Sequence, residues 1–362
     1  MFLYIFLFFT IFFLSIVSLR YQNQKKLYPI LIILFLFMWV FSWIRWDMGT
    51  DWDTYSNFFL RNNTIDDFLS INQGTFEIGF RYANFFIKQL SDSYSFALFC
   101  FASFIFAVYY RFLHRFSLFP FISLLLCFVL SRGYIFFTRQ TIALMFCILA
   151  ISSLYYNKYY RFIAFILLAS SFHSSAIICL FLYPLCKIKS LSISQINLFT
   201  IVGSVLALSF GLIVVHFIIP YLPSLISYKL NKYFEMGDDM QTGISIAGIL
   251  FNGIVNRGFF FFLFYKASRY FQNDSVFRFF YILYCLSLMM FFLTGPINVG
   301  LTRIILYFEI SQDILVTYYI KSITNKRIML CVLGAYLFVR LFTNTLTGFY
   351  KDCFVPIKTI LF

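Results

Sequence analysis

Long apolar runs separated by short polar connectors make up most of this chain. A membrane-spanning helix needs about 20 apolar residues, and runs near that length occur at 2–19, 27–44, 94–110, 118–131, 140–157, 197–218, 246–265, 279–294, 303–320 and 328–345. A further apolar stretch, 161–186, is interrupted by the polar run from Ser170 to Ser175. The pattern predicts one all-α polytopic membrane domain over 1–362, with about 10–12 transmembrane helices.

The interrupted stretch 161–186 has two interpretations. In one, it forms a broken pair that crosses twice or re-enters. In the other, it crosses once with a polar middle. We favour the broken pair, because Arg161 and Lys187 both belong to basic connectors on one side of the membrane. In either case the patch around His173 faces protein or water, since lipid cannot satisfy polar groups.

Charge is distributed unequally between the two sets of connectors. More than half of the 28 lysines and arginines, with Asp274 as the one acid, lie in 20–26, 111–116, 158–161, 187–190, 266–278 and 321–327. Most of the 14 acids lie in the opposite set, 45–93, 132–139, 219–245 and 346–362. The positive-inside rule therefore places the N-terminus, the C-terminus and two large loops, 45–93 and 219–245, outside the cytoplasm. Helical spacing predicts an interfacial or re-entrant helix near 75–90, with Phe76, Phe80, Phe86 or Ile87, and Leu90 near one face.

Composition supports the membrane class and limits the chemistry. The chain is 62% hydrophobic and 12% charged, whereas soluble domains carry about 25% charged residues. In such a chain the net charge of +14 reports topology and does not indicate nucleic acid. The cysteines are scattered singly, with no spacing typical of a metal site, so we expect no metal ligands.

The stretch from Trp43 to Tyr55 begins the longest polar interval and is rich in acids and aromatic rings. Aromatic faces stack on sugar rings, and carboxylates accept hydrogen bonds from sugar hydroxyls. Asp51, Trp52 and Tyr55 are therefore candidates for binding a glycan. The alternative is a solvated loop with an aromatic belt at the membrane interface.

Four arginines, Arg45, Arg81, Arg139 and Arg303, fall at the predicted outer boundary of the membrane, where positive charge is disfavoured. Guanidinium groups bind phosphates in a bidentate manner, so a lipid diphosphate is a natural ligand. The alternative is that they snorkel to headgroups or pair with acids.

Three carboxylates and one histidine add to these candidates. Glu77 and Arg81 are spaced as an i,i+4 pair on the predicted helix. His173 is flanked by serines at the predicted helix break. Glu309 and Asp313 lie inside a predicted span, as functional groups or as partners of Arg303 or Arg340.

Five short motifs occur in a fixed order along the chain: Arg45-x-x-x-Gly49-x-Asp51-Trp52-x-x-Tyr55, Glu77-x-Gly79, Arg139-x-x-x-Ala143, Leu168-Ala169-x-x-Phe172-His173-x-Ser175 and Arg303-x-x-x-Tyr307-Phe308. This ordered set resembles the EpsG-like, Wzy-type family, whose members polymerise O-antigen and exopolysaccharide repeat units. The matching positions are Arg45, Asp51, Tyr55, Glu77, Arg139, His173 and Arg303.

The resemblance implies a glycosyltransferase-C-like, metal-independent enzyme of the bacterial inner membrane that needs no cofactor. Such an enzyme transfers a glycan from undecaprenyl diphosphate to the next lipid-linked repeat unit on the periplasmic face. Membrane lipid and a chain-length regulator protein are the further partners that we expect.

The chemistry of this transfer assigns a role to each candidate. We expect Arg139 and Arg303 to stabilise the departing diphosphate, with Arg45 or Arg81 assisting. Asp51 is the first candidate for the general base and His173 the second. Trp52, Tyr55 and Glu77 are expected to position sugar rings.

Two other functions remain as alternatives. A flippase for lipid-linked oligosaccharides would carry charged residues across the midplane, whereas here they cluster at the outer boundary. A membrane O-acyltransferase would use His173 as its key residue, but that class takes its acyl donor from the cytoplasm.

Overall fold

Helices make up most of the residues that the structure describes, and these residues divide into two units. The computed structural model describes residues 2–70, 76–185, 191–213, 246–297, 299–346 and 351–360. The first unit comprises Met1–Leu180 with Ile323–Phe362, and the second comprises Phe181–Ser322. The described residues contain no β-strand, which confirms the prediction of an all-α polytopic membrane protein. The single domain over 1–362 stays a prediction.

The helices follow the apolar runs closely. The first unit begins with α1 Phe2–Ser18, α2 Tyr28–Ile44, α3 Trp52–Arg61, α4 Ile65–Leu69, α5 Ile78–Leu90, α6 Tyr94–Phe116, α7 Pro120–Ser131, α8 Arg139–Tyr155 and α9 Tyr159–Phe172. The second unit holds α10 Leu182–Leu185, α11 Ile193–Ile213, α12 Ile246–Phe251, α13 Phe259–Phe271, α14 Ser275–Thr294 and α15 Leu306–Ser322. The chain then returns to the first unit with α16 Lys326–Leu341 and α17 Lys351–Phe354.

Four helical runs among the described residues are long and apolar enough to cross a membrane: Gln24–Ile44, Tyr94–Phe116, Ile193–Ile213 and Ser275–Thr294. Shorter apolar helices accompany them at Phe2–Ser18, Pro120–Tyr134, Arg139–Tyr155, Tyr159–Phe172 and Ser174–Pro184. The chain is therefore a membrane protein with several spans. The predicted loop 219–245 lies outside the described residues.

The stretch 161–186 is broken at His173. Helix α9 ends at Phe172, His173 is extended with φ −154° and ψ 114°, and a 3-10 helix runs from Ser174 to Phe181. Cys179 on that segment lies 3.6 Å, sulfur to sulfur, from Cys147 on α8. The break in the helix is therefore confirmed, and the second segment packs against α8. That the two segments cross twice or re-enter stays a prediction.

Helix α5 occupies the region of the predicted interfacial helix, but its buried face differs from the expected one. Phe80, Asn84 and Lys88 are buried, one turn apart, whereas Phe86 and Leu90 are exposed. Lys88 is buried because its ammonium lies 5.0 Å from the Phe59 ring centroid and 3.2 Å from an Asp92 carboxylate oxygen. The expected face is therefore observed only in part: Phe80 is buried and Ile87 is half-buried, whereas Phe86 and Leu90 point away from the packed side.

The C-terminal segment, defined here as residues 351–360, pairs with the segment 44–49 that follows α2. Three backbone hydrogen bonds join them: Trp46 N to Lys358 O at 3.1 Å, Gly49 N to Cys353 O at 2.9 Å and Ile360 N to Ile44 O at 2.9 Å. Gly49 adopts a φ of +106°, which is open to glycine and strained for other residues. The two segments therefore lie on the same side of the membrane.

Phe354 anchors the C-terminal segment. It is 3% exposed, and its ring centroid lies 5.0 Å from that of Phe136 and 3.9 Å from the Arg132 guanidinium carbon. The Tyr4 hydroxyl donates a hydrogen bond of 2.9 Å to the Phe354 carbonyl. The loop that carries Asp51 is thus supported by side chains from α1, from the segment after α7 and from the C-terminal segment.

Candidate functional site

Five of the predicted site residues come together in the first unit. We call Asp51, Tyr55, Glu77, Arg139 and His173 the polar cluster. Its members lie at or near the ends of four helices: Asp51 and Tyr55 at the start of α3, Glu77 before α5, Arg139 at the start of α8 and His173 after α9. Residues more than 100 positions apart in sequence therefore meet at one place.

Glu77 is the residue that joins these helix ends. Its Oε2 forms an ion pair with Nη1 of Arg139, and its Oε1 accepts a hydrogen bond of 3.1 Å from the backbone N–H of Ser174. The side chains of Glu77 and Arg139 are 21% and 19% exposed. Both carboxylate oxygens are engaged, so Glu77 holds Arg139 and the backbone beside His173 in fixed positions.

A glycine lets α5 come close enough to α9 for this contact. A Cβ atom added to Gly79 would lie 2.2 Å from the Ser171 Oγ and 2.8 Å from the Ser171 carbonyl oxygen. Neither distance is possible for real atoms, and the carbonyl cannot rotate away as a side chain can. The Glu77-x-Gly79 motif thus combines the carboxylate with the residue that allows it to reach Ser174.

Arg139 is the first residue of α8, and Thr138 caps this helix through Thr141. A cation at a helix N-terminus is unfavourable, because the helix dipole is positive there. The Glu77 carboxylate offsets that unfavourable field. The guanidinium carbon also lies 4.7 Å from the Phe76 ring centroid and 5.8 Å from that of Tyr55, distances at which cation–π attraction contributes.

Tyr55 connects Asp51 with Arg139. Its hydroxyl donates to the Asp51 Oδ2 at 3.2 Å and accepts from the Arg139 backbone N–H at 3.4 Å. Burial and the neighbouring Asp51 carboxylate raise the pKa of Tyr55 to about 12, although Arg139 opposes the rise. Tyr55 is therefore protonated at neutral pH and remains a donor to Asp51.

His173 lies at the other end of the polar cluster. Its Nδ1 is 2.7 Å from the Ser175 Oγ, and the next residue, Ser174, is the one bound by Glu77. Asp51 and His173, the two candidate bases, are thus linked through Tyr55, Arg139 and Glu77. The ring is partly exposed.

Arg45 and Arg81 are engaged with the protein itself. Arg45 is 3% exposed, donates 2.6 Å from Nη1 to the Ile135 carbonyl and packs on Phe136 and Phe137. Its burial lowers its pKa to about 10, which still leaves it charged at neutral pH. Arg81 donates from Nε to the Phe76 carbonyl at 2.6 Å. Both arginines therefore brace the backbone around the polar cluster.

Trp52 does not offer the sugar-stacking face that the sequence suggested. It is 8% exposed, and its ring centroid lies 5.1 Å from Tyr94 and 5.5 Å from Trp46. Trp46, which is 44% exposed, is the ring that solvent reaches. The burial of Trp52 follows from its position in α3. It is the first residue of this helix and lies on the buried side, together with Phe58 and Phe59.

The second unit contains Arg303 and a separate ion pair. Arg303 lies exposed on the 3-10 helix Val299–Ile305, and its role at the diphosphate stays a prediction. Glu309 pairs with Arg257, with 2.6 Å between Oε1 and Nη2, and not with Arg303 or Arg340 as the sequence suggested. The Arg257 guanidinium also lies 4.3 Å from the Phe291 ring centroid.

Sequence reasoning missed Arg257 and the Ser174 amide. Arg257 lies inside the predicted span 246–265, so an intramembrane charge was the available signal. It sits on a π-helix, Asn252–Gly258, a distortion that is frequent at functional sites. The Ser174 amide has no side-chain signature at all, and only the broken helix at His173 indicated an exposed backbone donor there.

Comparison with known protein families gives a match over most of the chain. The sequence profile of the EpsG family matches residues 28–359, a range that includes the polar cluster, Arg257 and Arg303. No curated protein and no solved structure matches the chain. The family match confirms the resemblance that the ordered motifs indicated.

Proposed function

The chain belongs to the EpsG family, and we propose that it polymerises lipid-linked oligosaccharide repeat units into an O-antigen or exopolysaccharide. The observation that carries the proposal is the family match, which spans the whole polar cluster. Within that cluster, an acid, an arginine and a histidine are held together at helix ends in a membrane protein. These are the types of side chain that the transfer of a glycan from a lipid diphosphate needs.

The proposed reaction is a displacement at an anomeric carbon. A hydroxyl oxygen of the acceptor repeat unit bonds to that carbon, the bond between the carbon and the diphosphate oxygen breaks, and undecaprenyl diphosphate leaves. The acceptor proton passes to a base. The substrate is already activated as a diphosphate ester, so the protein has to supply the base, the orientation and the stabilisation of the leaving anion.

Arg139 is the group that we propose for the leaving diphosphate. Charge on the leaving group grows as the bond breaks, so a cation placed there stabilises the transition state more than the ground state. A guanidinium has five N–H donors in a planar fork and can bridge two anionic acceptors. Glu77, which binds Nη1, is then a positioning residue for Arg139.

Asp51 is our first candidate for the base and His173 our second. Asp51 accepts a hydrogen bond from the protonated Tyr55 hydroxyl. This contact fixes the carboxylate and leaves it free to take the proton of the acceptor hydroxyl. A positioned general base is typically worth about 10²–10⁴-fold in rate. The exposed Trp46 ring is the surface that we propose for a sugar.

We also propose a membrane face and binding partners for this enzyme. We propose that the reaction takes place on the periplasmic face of the bacterial inner membrane, in keeping with the acid-rich loop 45–93. The enzyme would act without a metal or another cofactor on undecaprenyl-diphosphate-linked oligosaccharide. A chain-length regulator protein would be its partner.

Surface glycan from a strain that lacks this protein tests the proposal. Loss of a polymerase leaves single repeat units capped on the surface, whereas loss of a flippase leaves none. The experiment compares the deletion strain with strains that express the wild type or Arg139→Ala. Single repeat units in both the deletion and the Arg139→Ala strain are expected. A surface without any repeat units would overturn the polymerase and favour the flippase.

A further inference from the structure

The exposed surface of the first unit has an apolar groove between α2 and α6. Its cavity measures about 450 Å³. The walls include Ile32, Leu36 and Trp39 from α2, and Ser103, Ala107 and Tyr110 from α6. A hydrogen bond of 3.0 Å from the Trp39 indole N–H to the Ser103 hydroxyl crosses the groove, so these two polar groups satisfy each other. The groove therefore offers an apolar chain nothing but carbon surface along most of its length.

The groove continues into a second cavity that ends in positive charge. This cavity, of about 440 Å³, shares Ala107 and Tyr110 with the first and is also lined by Val108, Arg111 and His114. Ala107, Arg111 and His114 are spaced by four and three residues, so they lie on one face of α6. An apolar channel and a cationic end thus form one continuous feature.

The polar groups of Arg111 and His114 face solvent at this end of the groove. Both are exposed, and neither forms a hydrogen bond or an ion pair with the described part of the chain. The His114 ring lies 4.5 Å, centroid to centroid, from the Tyr28 ring, which fixes its orientation. The 3-10 helix before Tyr28 adds Lys25 and Lys26 at the same end. No acid occurs in 20–28 or 111–116 to neutralise this group.

We propose that this groove binds an anionic phospholipid, with one acyl chain between α2 and α6 and its phosphate at Arg111 and His114. Charge complementarity favours an anionic phospholipid. A zwitterionic headgroup would bring its own positive charge close to the basic residues at this end of the groove. Basic pockets between transmembrane helices on the cytoplasmic side are typical sites for anionic headgroups. The basic connectors 20–26 and 111–116 place this end at the cytoplasmic leaflet.

The proposed lipid is separate from the reaction. Tyr94, which packs on Trp52 near the polar cluster, begins α6, and His114 lies 20 residues later at its other end. At 1.5 Å per residue this separates the two sites by roughly 30 Å. The lipid site therefore lies apart from the polar cluster, and the proposal of this site does not rest on the proposed polymerase activity.

Native mass spectrometry of the purified full-length protein tests the site. Phosphatidylglycerol and phosphatidylcholine with identical chains are the probes. We expect the wild type to retain phosphatidylglycerol in preference. Arg111→Ala with His114→Ala should weaken its retention roughly fivefold, because an arginine near an anionic headgroup contributes about that factor. The histidine substitution also removes a ring N–H donor. Ala107→Phe, at an exposed position, fills the groove and should also release the lipid while leaving the cationic end intact.

The matched control is Lys158→Ala with Arg161→Ala, which removes two exposed basic residues from the same predicted side but outside the groove. This control should retain phosphatidylglycerol as the wild type does. Equal retention of both lipids, or an equal loss in the control, would show that the groove holds only ordinary annular lipid. Either result would overturn the proposal. Retention of a polyprenyl phosphate instead, or a second copy of the chain that Ala107→Phe dissociates, would overturn it as well.

Discussion

Arg139 and Glu77 form an ion pair in which Arg139 begins α8 and Glu77 immediately precedes α5, so one contact fixes the starts of the two helices together. Arg139→Ala should reduce polymer formation by about 10²–10³-fold, the usual cost of removing one group that stabilises transition-state charge. Arg139→Lys should restore activity only in part, since an ammonium lacks the guanidinium fork. Polymer length and amount on gels, at matched protein levels, measure the effect.

Glu77→Gln should lower activity by a smaller factor than Arg139→Ala, about tenfold, because the amide keeps the shape but loses the charge that orients Arg139. The matched control is Asp92→Asn. It breaks the pair with Lys88 at the other end of α5, where the Asp92 side chain is 90% exposed. Equal effects of the two substitutions would remove Glu77 from the positioning role.

Gly79→Ala should abolish most activity, because its new methyl group would collide with the Ser171 carbonyl and push Glu77 away from Ser174. Gly258→Ala is the matched control, since its nearest contact would be an ordinary 3.8 Å. Polymer assays and protein levels for both variants are the measurement. Wild-type activity in Gly79→Ala would show that α5 and α9 need not approach so closely.

Asp51→Asn should reduce turnover by about 10²-fold or more if Asp51 takes the acceptor proton, because the amide cannot accept one. Asp53→Asn removes an exposed acid two residues away and should be nearly silent. The assay uses purified enzyme and lipid-linked repeat units. Wild-type turnover in Asp51→Asn together with a large loss in His173→Gln would transfer the role of base to the histidine.

Tyr55→Phe should lower turnover by the same factor at every pH from 7 to 10. Burial and the Asp51 carboxylate raise the pKa of Tyr55 to about 12, so the wild-type hydroxyl is protonated across this range. The substitution removes the donor to Asp51 at each of these pH values alike. A ratio of wild-type to variant turnover that changes within this range would contradict the assignment of Tyr55 as a hydrogen-bond donor.

Two substitutions in the C-terminal segment should differ strongly. Phe354→Ala removes a ring that is 3% exposed and should cost about 3–5 kcal/mol, as for other buried phenylalanines. Lys358→Ala breaks a pair with Asp47 whose side chains are 48% and 49% exposed. Such exposed pairs contribute about 0–1 kcal/mol. Thermal denaturation of the purified variants and polymer assays should show a large loss only for Phe354→Ala.

The helices were predictable because the membrane imposes a long apolar run on each span. The windows 27–44 and 328–345 correspond to α2 and α16 within a few residues. The break at His173 was predictable for the same reason, since lipid cannot satisfy a run of serines. In the polar cluster, Asp51, Tyr55, Glu77, Arg139 and His173 were all identified from the order of the motifs.

The partners of charged residues were not predictable. Spacing suggested Arg81 for Glu77, and Arg303 or Arg340 for Glu309, whereas the ion pairs join Glu77 to Arg139 and Glu309 to Arg257. Spacing identifies neighbours on one helix, but an ion pair between helices depends on how they pack. The same limit explains Trp52, whose burial depends on Tyr94.

The pairing between 44–49 and the C-terminal segment also constrains how the protein is made. Asp47 and Lys358 are 311 positions apart, and at 5–20 residues per second the ribosome needs roughly 15–60 seconds to synthesise the chain between them. During that interval the loop with Asp51 has no backbone partner, while the intervening spans enter the membrane one after another. Completion of the polar cluster's support is therefore coupled to completed membrane insertion. An incompletely translated chain would lack this support.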